Sequence, residues 1–225
     1  MAASTRQDEP ALTEWAGITE PMTVFTNVVL GLIAMWLAAR LGYGSAAEGK
    51  GAGFALALAL GATAVSAFLG AIAHGADPRA DAAVRQRFWR LTLYATGVIG
   101  ATTVASVAFF AVRGPARTAV LIVAGLKLLA YWVSVTRRPE FRLAAADNAG
   151  ALAVLFVAAV YVGWRFASPA SPWLVVGVLV SLAGGVIQVR RIGVHRYFNH
   201  NDVYHVIQVI ALFLFYRGGV LLVDL

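Results

Sequence analysis

Apolar residues fall into seven long runs along this chain, separated by short polar stretches. The runs cover about 22–41, 52–74, 89–112, 118–135, 144–166, 172–190 and 203–223. Each is close to the ~20 mainly apolar residues that a helix needs to cross a bilayer. The separators GYGSAAEGKG, GADPRADAAVRQR, RGPAR, TRRPEFR, ASPAS and RRIGVHRYFNHN hold the helix breakers and most of the charge. The pattern predicts an all-α integral membrane protein, a seven-transmembrane helix bundle. A polar N-terminal arm covers 1–21, and one membrane domain covers 22–225. Gly61, Gly70, Gly184 and Gly185 lie inside the runs, where small residues let helix backbones approach closely.

Composition strengthens that picture. The chain is 60% hydrophobic and 13% charged, against about 25% charged residues in a soluble domain. It has no cysteine, which excludes disulfides and thiolate metal sites. Of its 18 basic side chains, only Lys50 and Lys127 are lysines. The net charge of +7 reads as topology and contact with lipid headgroups, with no nucleic-acid partner. Arginine richness with abundant Ala, Val and Gly suggests a GC-rich bacterial genome, and so a bacterial inner membrane. The arm MAASTRQDEPALTEW lacks the basic-then-apolar order of a signal peptide.

Loop charge sets the expected orientation. Arg6, Arg79, Arg85, Arg87, Arg90, Arg137, Arg138, Arg142, Arg190, Arg191 and Arg196 fall on one face. Arg40, Lys50, Arg113, Arg117 and Arg165 fall on the other. The positive-inside rule places the N-terminus in the cytoplasm.

Seven spans also sort the polar side chains. His74 ends the second span, Asp147 and Asn148 open the fifth, and His195, His200, Asp202 and His205 precede or open the seventh. With Glu14 and Glu20 ahead of the first, they converge on the N-terminal face, while the opposite face holds only Glu48 and Asp224. Imidazole is the commonest protein metal ligand, and a catalytic zinc takes three protein ligands and an open position. Asn201 and Asp202 lie four and three residues before His205, spacings that share one helical face. His200 is five before it and needs a non-helical turn to join. The bland alternative is a set of interfacial histidines bonded to loops.

Other polar residues have their own readings. Ser66 lies about 12 Å deeper than His74 on the helix rise, where it either bonds its own helix or orients a water or oxyanion. Lys127 is mid-span, with Asp147 its expected partner. Gln188 and Gln208 are expected to bond between helices, and Arg217 and Asp224 to pair with each other or with headgroups. Trp36, Trp89, Trp132, Trp164 and Trp173 read as interface anchors near span ends. No phosphate-binding glycine loop, nucleophile elbow or H-E-x-x-H motif occurs.

Two stretches carry a family resemblance. ITEPMTVFTNVVLGLIA (Ile18–Ala34) resembles the first helix of the alkaline ceramidases and their bacterial relatives, with an acid before the helix and an Asn within it. HNDVYHVIQVIAL (His200–Leu212) resembles their last-helix motif of two zinc-binding histidines four apart. The superfamily includes the adiponectin and progestin receptors. The resemblance implies a seven-helix membrane hydrolase that cleaves lipid amides with a three-histidine zinc, a Ser and an Asp. Here Ser66 is followed four later by Gly70, with histidine only at His74, and Asn201 stands four before His205. The implied zinc ligands are His74, His205 and either His200 or Asp202. Ser66 would serve the oxyanion, and Asp81 or Asp147 would be the general base. Ceramidases also bind calcium before the first helix, which Glu14, Trp15 and Glu20 echo.

Three functions are therefore expected to compete. One is a zinc-dependent hydrolase of lipid amides. Another is a non-catalytic protein of the same fold that binds a membrane lipid, a lipid-like ligand or a partner. The third is a small transporter whose path is lined by Lys127, Asp147, Gln188 and the histidines.

Overall fold

A computed structural model describes residues 14–15, 18–77 and 82–225. Two short strands, β1 (Glu14–Trp15) and β2 (Ile18–Thr19), pair antiparallel with Trp15 opposite Ile18. Seven helices follow: α1 (Pro21–Ala47), α2 (Gly51–Gly75), α3 (Ala82–Ala111), α4 (Gly114–Arg137), α5 (Phe141–Phe166), α6 (Ser171–Val189) and α7 (His200–Leu221). All seven are long and apolar enough to cross a membrane.

The helices are the expected ones, but several start earlier or end later than the apolar runs. Helix α3 begins at Ala82 rather than near residue 89. The segment AAVRQRF is polar yet rich in strong helix formers, so the helix continues beyond the apolar stretch. Pro21, Pro115 and Pro172 sit in the first turns of α1, α4 and α6, where a missing N–H costs nothing.

Helices α1, α2, α3, α5, α6 and α7 form a ring in which each packs on the next, and α7 closes it against α1. Helix α4 lies outside, packed on α3 and barely touching α5. The core is a continuous cluster that includes Leu37, Leu41, Leu56, Leu60, Phe110, Leu155, Leu174 and Phe215. The buried face of α2 is almost all Ala and Gly, broken by Leu56 and Leu60. That face lets α1 and α3 approach closely on either side. Outside, large apolar side chains such as Leu32, Met35, Val123, Leu126, Val157 and Val186 are exposed.

The chain after α7 ties the opposite end together. Asp224 caps α2, its carboxylate accepting from Gly51 N (2.7 Å) and Ala52 N (2.8 Å). Leu225 N donates to Phe109 O at 3.0 Å, and the Arg117 guanidinium donates to Leu225 O. Of the two expected alternatives, pairing with each other or with headgroups, Asp224 takes neither here: a helix N-terminus has orphan N–H groups and a partial positive charge, and Asp224 meets both. Arg217 instead lies over the Trp173 ring, 5.8 Å from its centroid. Trp36 also departs from expectation, sitting mid-way along α1 beside Tyr216 rather than at a span end.

Candidate functional site

The N-terminal face gathers side chains from α1, α2 and α7. Helix α7 starts with a capping box: Asn199 Oδ1 accepts from Asn201 N (2.7 Å), and Asp202 Oδ2 accepts from Asn199 N (2.8 Å). Asp202 is the third residue of the helix, where a carboxylate also meets the favourable end of the helix dipole. Its other oxygen, Oδ1, accepts from Thr26 Oγ1 of α1 at 3.1 Å. The same hydroxyl lies 2.9 Å from His205 Nδ1. A threonine has one proton to give. Asp202 Oδ1, His205 Nδ1 and Thr23 O (3.2 Å) all lie within reach of that one hydroxyl.

This knot is fully buried: Asp202 is 0% exposed, Thr26 7% and His205 8%. Thr23 and Asn27 extend it, with Asn199 Nδ2 donating to Thr23 Oγ1 (3.3 Å) and Asn27 Nδ2 to Thr23 O (3.0 Å). Helices α1 and α7 are thus stitched together by hydrogen bonds.

A second unit lies nearer the edge. Glu20 occupies the N-cap position of α1, without a side-chain cap, in the left-handed region, φ 50° and ψ 55°, a conformation that costs a non-glycine residue roughly 1 kcal/mol. Its carboxylate meets His74 Nδ1 at 3.1 Å, and the two side chains are only 13% and 21% exposed. Burial alone would raise the Glu20 carboxyl. The hydrogen bond from His74, with the charges of His74, Arg85 and His200, outweighs burial and holds it below its ordinary value. His74 also packs edge-on against Trp89, whose indole N–H donates to Pro139 O at 3.1 Å.

The expected site residues divide into those brought together and those placed elsewhere. His74, His200, Asp202 and His205 share the N-terminal face, and His200 lies within electrostatic reach of Glu20. His200 opens α7 as a helical residue, with no turn folding it back. His195 is exposed in the α6–α7 loop and accepts from Tyr197 N. Ser66 faces α3, bonding Thr92 O (3.3 Å) and Thr96 Oγ1 (3.1 Å) rather than its own helix or a histidine. Gly70 sits against α1, where an added Cβ would lie 3.2 Å from Asn27 Oδ1. Asn201 turns toward α6 and accepts from Gln188 Nε2 at 2.6 Å. Gln208 bonds Ser181 of α6, as expected of an interhelical glutamine.

Asp147 is corrected in place. It lies about two turns inside α5, because α5 begins at Phe141. It pairs with Lys127, Nζ to Oδ1 2.8 Å, and so belongs to a different part of the bundle from the histidines. Asn148 bonds Ala144 O of its own helix. Asp81 and the side chain of Glu14 lie outside the described residues.

A zinc at this face can be tested against these contacts. Metal-binding imidazoles are usually held through their other ring nitrogen by an oxygen acceptor. His205, held by Thr26, and His74, held by Glu20, have that arrangement. Of the other candidates, Asp202 has both oxygens engaged, and Asn201 points to α6. Among the described residues, no three His, Asp or Glu side chains form a group able to hold a metal ion.

Sequence reasoning missed Thr26, the hub of the knot, and Asn199. Asn199-x-x-Asp202 is a readable capping signature. Threonine is common in apolar helices and gives no comparable signal.

Residues 22–223 match a family of unknown function (DUF6962). The chain belongs to that family. No curated protein and no solved structure matches it. The family spans all seven helices, so the N-terminal-face knot and the Lys127–Asp147 pair both lie within it.

Proposed function

We propose that this DUF6962 member is an integral membrane protein that binds a lipid acyl chain non-catalytically. Its N-terminus faces the cytoplasm, as the arginine asymmetry favours. The observation that carries the reading is a groove of about 560 Å³ on the outer surface of α1, α2 and α3. Ala38, Gly42, Ala57, Gly61, Ala62 and Ala95 open it by being small, and Phe54, Leu58 and Val98 wall it. Its size falls in the usual range for small-molecule sites, roughly 300–1,000 Å³. Its lining is apolar and it opens where lipid would lie. The α1–α7 knot is then scaffold, holding the ring closed.

Filling the groove tests this. A Cβ at Gly61 meets only Ala38 Cβ, at 3.8 Å, so a side chain can start there without a backbone clash, and Gly61 lines the groove that Gly61→Leu would fill. Native mass spectrometry of the wild type should show co-purified lipid that Gly61→Leu loses. Equal lipid retention by a folded Gly61→Leu protein overturns the reading.

One observation favours a second reading, the ceramidase-like lipid-amide hydrolase with zinc. Both His74 and His205 are held through Nδ1, as second-sphere partners hold metal ligands. Metal analysis and lipid-amide turnover decide it. Stoichiometric zinc lost in His205→Ala supports it, whereas a metal-free, inactive wild type sinks it.

A further inference from the structure

Helices α3 and α5 meet closely toward the N-terminal face, where a Cβ at Gly100 would collide with Asp147 Oδ2. Toward the opposite face a groove of about 470 Å³ opens between them. Val107, Ala111 and Val112 wall it on one side, and Ala153, Val157 and Tyr161 of α5 on the other. Helix α4 barely touches α5 and stands clear of it. From Ala153 to Tyr161 the groove follows α5 for about 12 Å. One bilayer leaflet supplies ~15 Å of hydrocarbon, so the groove lies within a single leaflet.

Its mouth is basic. Arg113 directly follows Val112 and is exposed. Arg165 lies one turn beyond Tyr161 on the same face of α5. Contacts tie it to the groove: Arg165 Cζ is 5.3 Å from the Phe166 ring centroid, and Phe166 packs edge-on against Tyr161 at 6.2 Å. Arg117 donates to Val112 O and Leu225 O, so it adds charge while its donors are taken. The acids at this end are engaged elsewhere, Glu48 with Lys50 and Asp224 with the start of α2. Among the described residues, neither Arg113 nor Arg165 has an ion-pair partner.

An apolar slot one leaflet deep beneath two guanidiniums matches a lipid in both its parts. The slot takes hydrocarbon, and guanidinium forks fit phosphate oxygens. A zwitterionic headgroup would bring a cation to the same arginines, whereas an anionic one brings none. We infer that the α3–α5 groove is a binding site for an anionic phospholipid, with one acyl chain in the slot and the phosphate held by Arg113 and Arg165. The site is separate from the α1–α3 groove. It rests on the proposed membrane setting, not on lipid binding at that other groove.

Native mass spectrometry tests this on the full chain, released from micelles holding equal amounts of dioleoyl phosphatidylglycerol and dioleoyl phosphatidylcholine. The acyl chains are identical, so the ratio reads the headgroup. Wild-type protein should retain the anionic lipid at least about tenfold over the zwitterionic one, the scale of two arginines acting on one headgroup. Arg113→Gln/Arg165→Gln, at two exposed positions, should lose that preference. Ala153→Phe, also at an exposed position, fills the slot and should lose most of the retained anionic lipid. Arg40→Gln, on the same face but on α1, should keep the preference, as should Gly61→Leu in the other groove. Equal retention of the two lipids overturns the inference. So does a preference unchanged in the folded double variant, full retention by folded Ala153→Phe, or an equal loss in Arg40→Gln. A chain that stays dispersed without detergent overturns the membrane setting, and both grooves as lipid sites with it.

Discussion

At the α1–α7 seam, Asp202 uses both oxygens, Thr26 shares one hydroxyl, and His205 is held through Nδ1. At the α3–α4–α5 seam, Lys127 and Asp147 touch as charges while an ammonium and a carboxylate oxygen lack hydrogen bonds. Both seams bury an acid. The first acid is matched by backbone N–H and hydroxyl donors, so it behaves as a fastener. The second is matched only by an opposite charge, which leaves directional capacity unspent. Burial of a charged residue therefore does not by itself tell the two seams apart. Completeness of hydrogen bonding does.

That contrast can be broken first at the ion pair. Asp147→Ala strands Lys127 and should cost about 3 kcal/mol. The double replacement Lys127→Met/Asp147→Leu should restore most of it in thermal unfolding in detergent. A single variant as stable as the wild type would show that the pair is already solvated. Asp202→Ala comes next, removing a cap and leaving the Thr26 hydroxyl and Asn199 N–H without their acceptor, at about 2 kcal/mol. Its melting point should fall clearly below that of Asn201→Ala. Thr26→Val should cost about 1 kcal/mol as the seam loses one shared hydroxyl; a neutral result would mean that His205 and Asp202 find other partners. The smallest effect is acidic. The folded Glu20 carboxyl lies below its ordinary value of 4.5, so the unfolded chain binds the proton first. Its stabilisation is present above 4.5 and is lost as pH falls through the lower folded value. Glu20→Gln should flatten that acid limb in a melting-point titration.

The seven helices were legible because each apolar run has a length that few other structures use. Their ends were not: Ala82–Phe88 reads as polar loop yet is helical, because helix propensity and apolarity part company there. The Lys127–Asp147 partnership was readable from charge and proximity in the chain. Its depth and its dependence on Gly100 were not, because α3 intervenes between helices that are neighbours in sequence. For the histidines, the pattern gave the correct end of the bundle. It could not say that Ser66 would turn to α3, Asn201 to α6 and Asp202 to its own helix start, since spacing orders residues around one helix and leaves the neighbour on each side open.

The Asp224 cap has a consequence for biosynthesis. The N–H groups of Gly51 and Ala52 wait for a carboxylate 173 and 172 residues later in the chain. Translation thus delivers α2 long before its cap, and α1 long before Asp202, which lies 176 residues beyond Thr26. Helices α1, α2 and α3 can pack on one another before either contact forms. Ring closure at both ends then becomes one late event, timed by the arrival of α7 and Asp224.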